Sequence, residues 1–140
     1  MRDAQRKSAN YIDSETSIIN GFVLPGRRER YLALLKTQRG RDRLRNRLPH
    51  FRDFDPRVVI PISSSLQRSA DIYSALKQRG APDECYVWSS SSKCDGRMLN
   101  LRDAVSSIVG WEPGTILLCI PDHLGYYEGE DQNERSILAK

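Results

Sequence analysis

The chain has 140 residues, a length that supports one hydrophobic core and not two. Charged residues make up 29% of it and mean hydropathy is −0.58; no apolar run approaches the ~20 residues that span a bilayer. A membrane-spanning protein is therefore not expected, and because Met1 to Asn20 lacks the apolar core of a signal peptide, a cytoplasmic location is.

Three cysteines, Cys85, Cys94 and Cys119, are odd in number and widely spaced, which suggests neither a disulfide framework nor paired ligands of the CxxC type. No metal site and no cofactor is expected. The net charge of +4 is unevenly distributed. Met1 to His50 holds 12 Lys/Arg against five Asp/Glu, and the remainder holds 10 against 13. A basic front joined to a mildly acidic body seeks anionic partners, its own body included.

Residues 1–20 read as a flexible polar tail in which Tyr11, Ile12, Ile18 and Ile19 define no face. Asn20-Gly21 and Pro25-Gly26 mark turns around Phe22-Val23-Leu24. Tyr31, Leu32, Leu34 and Leu35 share one side of a helix over 27–36. Thr37 suits the N-cap of a second helix running to about Leu48. Five arginines stand in nine positions of this helix: Arg39, Arg43 and Arg47 on one face, Arg41 and Arg45 beside the leucines on another. Guanidinium forks bind phosphate oxygens, so this face is the leading candidate for contact with nucleic acid or an acidic protein surface. The simpler alternative is a solvated helix face.

The linker Pro49–Pro56 carries His50, Asp53 and Asp55, residues that suit acid–base or metal chemistry but also suit turns. Arg57–Ile62, Cys85–Trp88 and Thr115–Ile120 read as strands, with Pro61 marking an edge or an end. Two helices separate them. The first is read as opening on a Ser64/Gln67 capping box and stopping at Gly80. The second opens on Asn100 and buries Leu101, Ala104, Val105 and Ile108 before Gly110. Residues 124–139 read as a hairpin. Trp88 and Trp111 are expected to cover the core, and Glu128, Glu130, Asp131 and Glu134 to form a solvated acidic tip.

The fold class implied is a small three-layer α/β domain over 21–140: a basic helical front of two helices (21–50), a β-α-β-α-β core with a largely parallel sheet (57–121), and the hairpin. In such sheets ligands bind beyond the carboxyl ends of the strands. That edge would gather Ser63–Ser65, Ser89–Ser92 with Asp95, and Asp122 with His123. A Ser or Cys94 nucleophile, His123 as base and Asp95 as orienter would then form an enzymatic or phosphate-binding site, with Asp53 a further candidate. No P-loop and no G-x-S-x-G elbow is present. A homo-oligomer, with the acidic tip receiving the arginine helix of a second copy, is the third reading.

The run Leu48-Pro49-His50-Phe51-Arg52-Asp53-Phe54-Asp55-Pro56-Arg57 after an Arg-rich helix, with Cys94-Asp95-Gly96-Arg97, Gly114–Pro121 and Leu124–Glu130, resembles a family of small bacterial α/β proteins without an assigned function. The resemblance covers roughly residues 22–138. It directs attention to His50, Asp53, Asp55 and Asp95 and away from Asp122, where that family carries a glycine, and hence from His123 beside it. It implies no reaction, cofactor or partner.

Overall fold

A computed structural model describes residues 13–140. Six strands form one sheet: β1 Val59–Pro61, β2 Glu84–Ser89, β3 Arg97–Asn100, β4 Thr115–Ile120, β5 Leu124–Glu128 and β6 Arg135–Ala139, in the order β1-β6-β5-β4-β2-β3. Every neighbouring pair is antiparallel. This overturns the largely parallel β-α-β-α-β sheet. The cause is β3, a four-residue strand that turns back on β2 within the stretch expected to be loop. It reverses the chain before the next helix, so β4 returns antiparallel to β2. The hairpin β5–β6 then separates β4 from β1, which keeps β1 and β2 from pairing.

Helices lie on both faces. Residues 13–22 form α1, followed by α2 Arg28–Leu34 and α3 Gln38–Arg47; together they cover one face, burying Ile18, Ile19, Phe22, Leu44 and Leu48 against Tyr86, Trp88, Ile116 and Leu118. On the other face α4 Ser69–Gln78 and α5 Leu101–Ile108 bury Ile72, Leu76, Leu101 and Ile108 against Val87, Leu117 and Tyr126. Strand side chains alternate between faces, so the adjacent Tyr126 and Tyr127 belong to different cores.

The expected polar tail divides. Residues 1–12 lie outside the described residues, whereas 13–20 are helical. Glu15, Ile18, Ile19 and Phe22 make one buried helical stripe, hidden in the sequence by the glutamate at its start. Asn20-Gly21 is helical and not a turn, because the small Gly21 allows the helix to lie against the Asp122 backbone. The Ser64/Gln67 capping box does not form. Ser64–Leu66 is a 3-10 turn, α4 starts later, and Gln67 Nε2 donates to the carbonyls of Ile62 and Gln132 at 3.0 Å each.

Candidate functional site: an arginine helix with two faces

Helix α3 begins at Thr37, whose Oγ1 accepts from Gly40 N at 3.0 Å. Gly40 is required here: a Cβ would stand 2.1 Å from the Leu34 carbonyl oxygen of α2. At about 100° per residue, Arg39, Arg43 and Arg47 fall within one arc and Arg41 and Arg45 on nearly the opposite side, next to Leu44 and Leu48. The leucines go into the core, so Arg41 and Arg45 follow them inward and the other three are exposed.

The inward pair builds a compact ionic network. Arg41 donates through Nε to Glu15 Oε1 (2.8 Å) and through Nη2 to Oε2 (2.6 Å), the two-pronged geometry that makes Arg–carboxylate pairs strong. Its Nη2 also reaches Asp95 Oδ2 at 3.0 Å. Arg45 Nε lies 3.2 Å from the same oxygen and donates to the Ser89 carbonyl at 2.9 Å. Tyr86 Oη donates to Glu15 Oε2, and Ser89 N donates to Asp95 Oδ1 at 2.9 Å. Two guanidinium and two carboxylate groups thus balance in charge, with the Glu15 and Asp95 side chains only 2% and 8% exposed. Burial pushes the Glu15 carboxyl above its usual range against the pull of Arg41 and Tyr86. Burial and the Glu15 carboxylate push the Tyr86 phenol up as well. The network fastens α1, α3 and the β2–β3 loop to one another.

The outward set is different. Arg39 and Arg43 make no ion pair among the described residues, and Arg47 lies beside the Tyr31 hydroxyl. Arg27, Arg30 and Lys36 are exposed on the adjoining α2 segment.

The enzymatic constellation does not assemble. In an antiparallel sheet the strand ends alternate, so His123, after β4, lies at the end opposite Ser89. Ser63 shares the Ser89 end but sits four strand spacings away, roughly 19 Å. Asp95 is occupied by Arg41, Arg45 and Ser89 N. Cys94 is half-buried, its thiol pushed up by burial, and Cys85 and Cys119 are core residues, the Cys119 thiol raised to about 12.

The linker residues also part company. Asp53 accepts from Tyr31 Oη, and His50 pairs with Glu130. Asp55 is held by Arg57 through Nε (3.1 Å) and Nη2 (2.8 Å), which draws its carboxyl down from 3.8 to about 2. Tyr31, Phe51, Phe54 and Tyr127 pack in a row of tilted and edge-on ring contacts that anchors the linker. No group of three or more His, Cys, Asp or Glu among the described residues can hold a metal ion, and no helix among them is long and apolar enough to cross a membrane.

Two further expectations change. Trp111 does not cover the core; it is 75% exposed on the loop after α5. The acidic tip divides: Glu130 and Asp131 are exposed, Glu130 beside His50, whereas Glu134 lies 3.7 Å from Arg52 and Glu128 is buried, taking hydrogen bonds from Tyr126 Oη (2.5 Å) and Gly110 N (2.6 Å).

Glu15 and Tyr86 were not legible as site residues. The available signal was the spacing of Glu15 with Ile18, Ile19 and Phe22, an acid in register with an apolar stripe and needing a cation. Comparison with protein-family models, curated proteins and solved structures gives no match to this chain, so function rests on the geometry above.

Proposed function

We propose that this protein is a non-enzymatic binding module whose helix α3 contacts nucleic acid through Arg39, Arg43 and Arg47. The observation that carries the reading is the division of arginines. Arg41 and Arg45 have carboxylate partners inside the fold, while Arg39 and Arg43 are exposed and have none among the described residues. Arginines set four residues apart on one exposed face, with Arg27, Arg30 and Lys36 exposed on the adjoining α2 segment, suit a phosphate backbone, which rewards repeated cationic contacts by releasing counterions. Arg41 and Arg45, which the sequence offers as contacts for the same partner, are held within the fold by Glu15 and Asp95, which leaves three arginines for it. Fluorescence anisotropy with labelled mixed-sequence RNA and DNA at low salt tests it. Binding that weakens steeply as salt is added is expected. Absence of binding to either polymer at low salt contradicts the proposal.

A further inference from the structure

Helix α4 has a second face that the core does not use. Ile72 and Leu76 are buried beneath it. A separate stripe, Asp71, Ser74, Ala75, Gln78 and Arg79, follows helical spacing and forms one wall of an open groove of about 680 Å³. Ile60, Ile62 and Leu66 line the same groove, and Ile60 and Leu66 are 37% and 55% exposed. Apolar side chains standing open beside a groove call for an occupant.

The charges on the α4 stripe say which occupant fits. Asp71 lies in the first turn and Arg79 caps the C-terminal end, eight residues apart or roughly 12 Å. Neither makes an ion pair among the described residues. An acid at one end, a base at the other and the small Ser74 and Ala75 midway make the stripe complementary to itself when reversed. We propose that this face binds a second copy of the chain, with the two α4 helices antiparallel about a two-fold axis near Ala75. Asp71 then meets the partner's Arg79 and Arg79 the partner's Asp71. The small central residues let the helices approach to ~8–10 Å. Leu66 and Ile60 of each copy close over the other's helix. An isologous contact of this kind makes the same pair twice, so any change in it counts double. The antiparallel helix dipoles add to the attraction.

Sedimentation equilibrium of the full chain across about micromolar to submillimolar concentrations tests this. The wild type is expected to form a dimer. Asp71→Arg, which sets arginine against arginine twice, should weaken it by at least ~10-fold. The exchange Asp71→Arg with Arg79→Asp should restore it to within ~3-fold, because each partner position is again oppositely charged. Circular dichroism of each variant establishes that it is folded. Leu66→Ser should weaken the dimer without touching the charges. The triple change Arg39→Gln, Arg43→Gln and Arg47→Gln should leave it intact, which separates this contact from the nucleic-acid face. A wild type that stays monomeric throughout, a single Asp71→Arg variant that dimerises like the wild type, or a folded exchange variant that does not recover would each overturn the proposal.

Discussion

Helix α3 places the same residue type in two environments. Arg41 and Arg45 are mostly hidden, each with a carboxylate within about salt-bridge distance, and they hold three separate elements together. Arg39 and Arg43, two residues from an inner arginine in sequence, are exposed and make no ion pair among the described residues. The difference is one of angle around the helix. Where the leucines point decides which arginines become part of the fold and which remain for a partner. Composition alone makes the five equivalent, and their angle around the helix relative to the leucines separates them.

The largest expected effect breaks the inner side. Glu15→Ala leaves the Arg41 guanidinium buried without its bidentate acid, so stability should fall by ~3–5 kcal/mol, read as a lower denaturant midpoint with an unchanged slope. A loss under ~0.5 kcal/mol, the range of ordinary surface changes, would show that the network holds nothing together.

The outer side should respond in the opposite way. Replacing Arg39, Arg43 and Arg47 together by Gln should keep stability within ~0.5 kcal/mol while removing up to three phosphate contacts. Asp95→Asn keeps the shape of the loop but withdraws a charge from both inner arginines. A cost of ~1–3 kcal/mol is expected, with nucleic-acid binding unaltered when both proteins are compared folded.

The smallest effects concern pH. The folded-state carboxyl of Asp55 titrates below its unfolded value, so its contribution is present above 3.8 and is lost as pH falls toward about 2. Asp55→Asn should flatten that acid limb in pH-dependent unfolding. Glu15 and Glu128 act with the opposite sign. Burial raises both above 4.5, so their contributions are present at low pH and are lost as pH rises through the folded values. Glu128→Gln should reduce the decline in stability above pH 4.5.

Much of the local structure was legible in the sequence. Asn100 caps α5 by accepting from the amides of Arg102 and Asp103, and Leu101, Ala104, Val105 and Ile108 are buried as their spacing requires. Thr37 caps α3. The apolar run Thr115–Ile120 is β4. Strand direction was not legible, because β3 is only Arg97–Asn100 and its sequence, with Met98 half exposed, has no alternation to distinguish it from loop. One missed reversal changes every later pairing, and with it the edge at which Ser63, Asp95 and His123 would have met. The inner site was hidden for a related reason. Periodicity records apolar residues, and Glu15 occupies a core position as a charged one. The exposed arginine face was visible because angle alone specifies it.

The division of α3 is tested most directly by the salt dependence of nucleic-acid binding, measured for the wild type and for the Arg39→Gln, Arg43→Gln, Arg47→Gln variant. With three phosphate contacts on duplex DNA, the slope of log K against log salt should become shallower by ~2.7. A variant that binds with the same slope as the wild type would contradict the account, since phosphates would then be held by some other surface of the molecule.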